Sequence, residues 1–216
     1  MTEQDVGTYL KREFAADAVI VVGSRADNVA RDGSDWDCYV LIDDGTGPTV
    51  PRPEPRELEG AQLDIGVVHL PIGEADVLRV FGPNLQQAKV LFDTPANSAR
   101  RIVDCAAVIY AAGKRLTDYE KAQRAHQMAR NISTMRARSD QPGPFFEAMT
   151  FVFYISHRFW YEVLHGRYSQ SVHRAMDEIQ TRDPDFHARL MTLTSSESID
   201  AKIAAAEYLH MRLFGG

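Results

Sequence analysis

Cysteine is scarce in this chain: Cys38 and Cys105 are the only two in 216 residues, far apart and without metal-type spacing. That excludes a disulfide scaffold and a cysteine-based zinc site, and it predicts reduced thiols in a cytoplasmic protein. Long apolar runs are missing as well. No uncharged stretch approaches the roughly 18 residues of a membrane span, and the N-terminal MTEQDVGTYLKREF lacks a signal-peptide core, so no membrane partner is expected. Positive charge is not in excess, since 24 Lys+Arg against 30 Asp+Glu leaves −6. The electrostatic footprint of a nucleic-acid binder is therefore absent. The seven histidines contain no His-x-x-x-His pair, which argues against zinc held by a helix. What remains is an ordinary globular composition, 44% hydrophobic and 25% charged, long enough for one large domain or two small ones.

Along the chain, Val6, Tyr9, Leu10 and Phe14 are spaced by three and four and predict an amphipathic helix over 3–16. Ala18-Val19-Ile20-Val21-Val22, closed by Gly23, reads as a buried strand, and Trp36 to Ile42 as a second. Residues 43–61 hold Pro48, Pro51, Pro53 and Pro55, which exclude core strand and helix, so the stretch reads as a long exposed loop. It is either a plain connection or a lip over a substrate. Leu63 to Leu70 reads as a third strand and Val90-Leu91-Phe92 as a fourth. Beyond about residue 115 the pattern turns helical. Thr117-x-x-Glu120 fits a capping box, and behind it Tyr119, Ala122, His126, Ala129, Ile132 and Met135 recur every three or four residues. Ser139 to Pro144 breaks the chain. Phe145 to His165 is an aromatic-rich buried helix, and a second box, Thr194-x-x-Glu197, is expected to open a last helix carrying Ile199, Ile203, Ala206 and Leu213. The expected architecture is an α/β (α+β) domain over 1–115 followed by an all-α helical domain over 116–216.

Chemistry concentrates in three places. Asp35 and Asp37 stand at i and i+2 of a strand start, so they share a face. Two adjacent carboxylates raise each other's pKa unless a cation neutralises them, and a pair of Mg²⁺ ions roughly 4 Å apart suits in-line phosphoryl displacement. Asp64, set in the apolar Leu63-Asp64-Ile65-Gly66-Val67-Val68, offers a third carboxylate. Upstream, the Gly23-Ser24 turn can present backbone amides and a hydroxyl to phosphate oxygens.

The order Val22-Gly23-Ser24, ten residues, Asp35-Trp36-Asp37-Cys38 resembles the signature of the polymerase-β nucleotidyltransferase superfamily. The fuller GSRADNVARDGSDWD is similar to its minimal and aminoglycoside-type members, with Arg25 after the serine and Ser34 before the first aspartate. Val90-Leu91-Phe92-Asp93 resembles a strand of small members that carry C-terminal helices. Trp36 departs from the pattern, where an aliphatic residue is usual, and either narrows the site or packs beneath the sheet. The motif-bearing resemblance covers about residues 15–95.

The resemblance implies a mixed sheet with the carboxylates on an open face. It implies Asp35, Asp37 and Asp64 as ligands of two Mg²⁺ ions, and Gly23, Ser24, Arg25 and Ser34 as nucleotide-binding residues. ATP, or another NTP, would be co-substrate, and its NMP would go to an acceptor hydroxyl with release of pyrophosphate. Asp64, or Glu147 from the helical domain, would serve as general base. The helical domain is similar to acceptor-binding domains of antibiotic nucleotidyltransferases, which implies an aminoglycoside- or lincosamide-like small molecule. The alternative is an antitoxin-like regulator that AMPylates or binds a protein partner. The resemblance also allows a homodimer, the state in which related two-domain enzymes build the acceptor site. Tyr154, Trp160 and Tyr161 either form the helical core or line that site.

Overall fold

The computed structural model describes residues 1–27, 30, 33–195 and 198–215, and its contacts divide into two compact units, Met1–Ala112 and Gly113–Gly216. The first is built on a five-stranded mixed sheet, the second is wholly helical, and this is the fold class expected from the sequence. No helix among the described residues is long and apolar enough to cross a membrane.

In the first unit α1 (Glu3–Glu13) starts from a capping box in which Thr2 and Asp5 satisfy each other's backbone amides. It buries Val6 and Leu10 on one face of the sheet. The sheet runs β3-β4-β2-β1-β5, comprising β1 (Ala18–Val22), β2 (Trp36–Ile42), β3 (Glu54–Leu58), β4 (Ala61–His69) and β5 (Lys89–Phe92). β2 and β4 pair in parallel and every other neighbour is antiparallel. β1 is buried along its whole length, which is why it reads as a continuous apolar run. Its alternate residues feed two cores: Val19 and Val21 face α1, while Ala18, Ile20 and Val22 face the opposite side.

That opposite side is covered by α3 (Glu74–Phe81) and α4 (Ser98–Ala112), two helices beyond the elements expected from the sequence. Burying Phe81 alone contributes about 1.5–3 kcal/mol. Asp93, at the end of the resembling Val90-Leu91-Phe92-Asp93 run, has a local structural role. Its carboxylate accepts the Ala99 and Arg100 amides at 3.2 and 2.9 Å and caps α4.

The proline-rich stretch is not the plain loop expected. Glu54–Leu58 forms the edge strand β3, antiparallel to β4, and an edge is where a sheet accepts Pro55 and an exposed, charged sequence. Upstream of β3, Arg79 Nη2 donates to the Pro48 carbonyl at 3.2 Å. A short helical turn, α2 (Gly23–Ala26), links β1 to the chain leading into β2.

The second unit comprises α5 (Asp118–Ala137), α6 (Pro142–Phe159) prolonged by a π-helical turn (Trp160–Leu164), α7 (Val172–Arg182), α8 (Pro184–Ser195) and α9 (Ile199–Phe214). The Thr117–Glu120 capping box opens α5 as expected. Its buried stripe, however, is Met128, Ile132 and Met135, while Tyr119, Ala122, His126 and Ala129 are exposed. Each i+3 step rotates backwards by about 60° on a 3.6-residue helix, so a chain of such steps drifts off one face. Phe159, Trp160 and Tyr161 are core residues, whereas Tyr154 is exposed. Thr194 does not cap the last helix: it lies within α8, its hydroxyl donates to the Met191 carbonyl, and Ser198 caps α9. Glu197, the other half of that expected box, lies outside the described residues.

Candidate active site

The sheet brings three chain segments to one of its ends. β1 finishes where β2 begins, with Val22 opposite Asp37, and the parallel register of β2 and β4 sets Asp37 beside Asp64. Residues opposite one another share a face, and Asp35 precedes Asp37 by two, so all three carboxylates project the same way. Their nearest oxygens lie within 4.8 Å of one another. Farther along that face the sheet is covered: Tyr39 meets Phe81 edge-on at 4.9 Å, and its hydroxyl accepts from Asn84 at 2.9 Å. Gly66, two residues beyond Asp64, leaves room for Pro51 and Tyr39, since a Cβ there would lie 3.2 Å from the Pro51 Cβ and 3.0 Å from the Tyr39 ring. The carboxylates thus occupy the end of a face walled by the proline-rich segment, a role that proline content alone did not reveal.

Partial burial, with the charges of Asp35 and Asp64 added, pushes the Asp37 carboxyl up to about 6. Three oxygens from three carboxylates, mutually close and one of them reluctant to ionise alone, form the hard donor set that fits Mg²⁺ or a similar divalent cation. Beneath them, on the α1 side, Cys38 is buried, and burial together with the Asp37 charge raises its thiol to about 12. Thiolate chemistry is closed to it.

Gly23 begins α2 with φ +69°, a conformation that favours glycine, and a Cβ at this position would overlap Asp37 Oδ2. The turn therefore lies directly against the carboxylate. Its first amides are the ones a helix leaves without internal partners, and Val22 offers no side-chain cap. Gly23→Ala is expected to cost about 1–2 kcal/mol in a denaturant melt through the left-handed backbone. It should also weaken Mn²⁺ binding by displacing Asp37. Unchanged stability and unchanged Mn²⁺ affinity together would contradict this close contact.

The other expected site residues are placed differently. Ser24 lies in α2, beside Gly23. Arg25 does not face the carboxylates. Its Nη2 donates to the Ser34 carbonyl at 2.6 Å, and its guanidinium lies 4.9 Å over the ring of Trp36. Trp36 is 4% exposed and packs in the α1-side core, so it sits beneath the sheet and does not narrow the site. Glu147 stands on an exposed face of α6, in the second unit, and is not a member of the carboxylate cluster.

Neither a protein-family model nor a curated protein matches this chain. Among solved structures it is similar to a nucleotidyltransferase-like protein from Exiguobacterium sibiricum 255-15. The two are 14% identical with a TM-score of 0.45, and the match covers 98% of this chain and 75% of that one. At that identity and score the likeness is one of chain outline and assigns no chemistry.

Proposed function

We propose that this chain is a divalent-cation-dependent nucleotidyltransferase. It moves a nucleoside monophosphate, AMP from Mg²⁺-bound ATP, to a hydroxyl of a small-molecule acceptor of the aminoglycoside or lincosamide class. The observation that carries this reading is the convergence of Asp35, Asp37 and Asp64 directly against the Gly23 turn. Hard-cation ligands beside the first amides of a helical turn are what a triphosphate needs on two sides.

In this reading Asp35, Asp37 and Asp64 hold the cation, two Mg²⁺ ions in the expected arrangement. Bound there, the metal neutralises triphosphate charge and polarises the α-phosphate. The Gly23 and Ser24 amides and the Ser24 hydroxyl orient the terminal phosphates. Asp64 accepts the proton of the acceptor hydroxyl. That oxygen then bonds to the α-phosphorus as the bond from the α-phosphorus to the bridging oxygen breaks, and pyrophosphate leaves. Positioning and electrostatics supply the rate, since phosphoryl transfer asks little covalent chemistry of the protein.

The test is label transfer from α-³²P-ATP with Mg²⁺ in a host lysate, with the Asp35→Asn/Asp37→Asn double variant as control. The expected result is label on an acid-soluble small molecule with the wild type alone, and Asp64→Asn should lower turnover far more than ATP affinity. Label on a protein band would make the acceptor a protein and the chain an AMPylating regulator. No transfer from any of the four NTPs, with no Mn²⁺ binding by the wild type, would end the proposal.

A further inference from the structure

We infer that Arg25 is a positioning residue for the carboxylate site, acting from the rear of the sheet: it holds the two residues that flank Asp35, Ser34 by its backbone carbonyl and Trp36 by its ring, and so sets that ligand in line with Asp37 and Asp64. The inference rests on the reading of the carboxylates as cation ligands, and it gives Arg25 a role distinct from binding phosphate.

Asp37 and Asp64 need no clasp, because the sheet itself fixes them. Asp37 is paired on one side with Val22 and on the other with Asp64. Among the described residues Asp35 has no such ladder: it is exposed, and the β2 pairing with β4 begins one residue later, at Trp36 and Leu63. A ligand on unladdered backbone must be held by something else if three oxygens are to stay within 4.8 Å. The groups flanking Asp35 are the two that Arg25 touches. Its Nη2 bonds the Ser34 carbonyl at 2.6 Å, and its guanidinium lies 4.9 Å over the Trp36 ring.

The direction of this contact separates it from a phosphate contact. Side chains alternate along β2, so Trp36 points away from the face that carries Asp35 and Asp37. Its ring belongs to the core under α1. A guanidinium stacked on that ring lies behind the strand, not in front of the carboxylates. Arg25 Nε is also buried and finds no hydrogen-bond partner among the described residues. A buried donor left unpaired is unfavourable, and the stack and the short Ser34 bond are what offset it here. Trp36, bulkier than the resembling pattern has at this place, supplies the flat platform that a planar guanidinium stacks on and an aliphatic residue does not. Because Arg25 belongs to α2, whose first residue abuts Asp37, the same short turn braces Asp35 from behind and meets Asp37 in front.

Outer-shell partners of metal ligands typically carry 10–100-fold in metal affinity. The test is a Mn²⁺ titration of the full, metal-stripped chain, with free Mn²⁺ read by electron paramagnetic resonance, for wild type, Arg25→Ala, Arg25→Lys and Asp35→Asn. Affinity for ATP in the presence of EDTA is measured alongside, and thermal melts follow folding. The expected result is a loss of about tenfold or more in Mn²⁺ affinity for Arg25→Ala. ATP affinity without metal stays within about twofold of wild type, because the guanidinium makes no phosphate contact. Arg25→Lys stays close to the alanine variant, because a point charge does not reproduce the planar stack and the carbonyl bond together. Should the alanine variant fail to fold, the lysine variant carries the same comparison. Wild-type Mn²⁺ affinity in both variants would overturn the clasp and leave the carboxylate reading intact. Loss of metal-free ATP affinity in Arg25→Ala, restored by lysine, would overturn it in favour of phosphate binding. A wild type that binds no Mn²⁺ would overturn the carboxylate reading, and the clasp with it.

Discussion

Replacing Asp37 with Asn is expected to make the metal-stripped protein more stable near neutral pH while removing its response to divalent cations. The Asp37 carboxyl is raised from 3.8 to about 6 by partial burial and by the charges of Asp35 and Asp64. A folded-state pKa above the unfolded one means that the folded chain binds more protons between those values. Stability therefore falls as pH rises from about 4 to about 6 and stays low above that window. A shift of about two units has a ceiling of about 3 kcal/mol, and the side chain's partial exposure reduces this to about 1–2 kcal/mol. Asparagine keeps the shape and never ionises, so in EDTA at pH 8 the variant should melt roughly 5 °C above wild type. At pH 4 the two should coincide. Saturating Mg²⁺ or Mn²⁺ reverses the order, because a ligand present at a hundred times its dissociation constant stabilises only the protein that binds it, by about 2.7 kcal/mol. The proposed transfer should fall about a thousandfold or more, the scale of losing a preorganised electrostatic group. A variant no more stable than wild type in EDTA at pH 8 would remove the strained carboxylate, and a retained cation response would remove Asp37 as a ligand.

The sequence displayed those parts of the fold that rest on local pattern. β1 and β2 follow from apolar, β-branched runs, and α1 and α5 from their capping chemistry. The pair Asp35 and Asp37 was legible because strand alternation is a property of the chain itself. The adjacency of Asp37 and Asp64 was not, since it depends on β2 and β4 pairing in parallel with that register, and register is settled by the two buried faces together. β3 escaped because an edge strand with exposed, charged residues has no apolar alternation to read. α3 is only eight residues long, and α4 takes its N-terminal cap from Asp93, several residues upstream of its first turn. Arg25 shows the limit most clearly. Its place after Ser24 suggests a phosphate ligand, but the direction of a long side chain is decided by what it packs on, here the Trp36 ring.

Glu162→Gln should produce the largest loss of stability, confined to the helical unit. Glu162 lies in the π-helical turn after α6, its side chain 2% exposed. Lys114 Nζ donates to Oε1 at 2.7 Å, Arg158 Nε to Oε1 at 2.8 Å and Arg124 Nε to Oε2 at 2.9 Å. Burial alone would raise this carboxyl, but the hydrogen bonds from Lys114 and Arg158 and their charges outweigh it and hold it below its ordinary value. Glutamine leaves the volume unchanged and removes the carboxylate charge that all three cations contact. Breaking a buried pair in this way costs about 3–5 kcal/mol, and since Arg158 is half exposed the lower figure applies. None of this is visible locally except the i,i+4 relation to Arg158, because Lys114 and Arg124 come from far upstream. The chain has two tryptophans, Trp36 in the first unit and Trp160 in the second. Urea unfolding followed by Trp160 fluorescence in a Trp36→Phe background therefore reads the helical unit alone. A depressed folded-state pKa contributes stability that is fully present above about pH 4.3 and is lost as pH falls through the folded value. The wild-type midpoint should drop with acid over that window, and the glutamine variant, already destabilised, should not show this component. Equal urea midpoints at pH 7 would mean that the three cations are satisfied without Glu162, and the network would then hold nothing together.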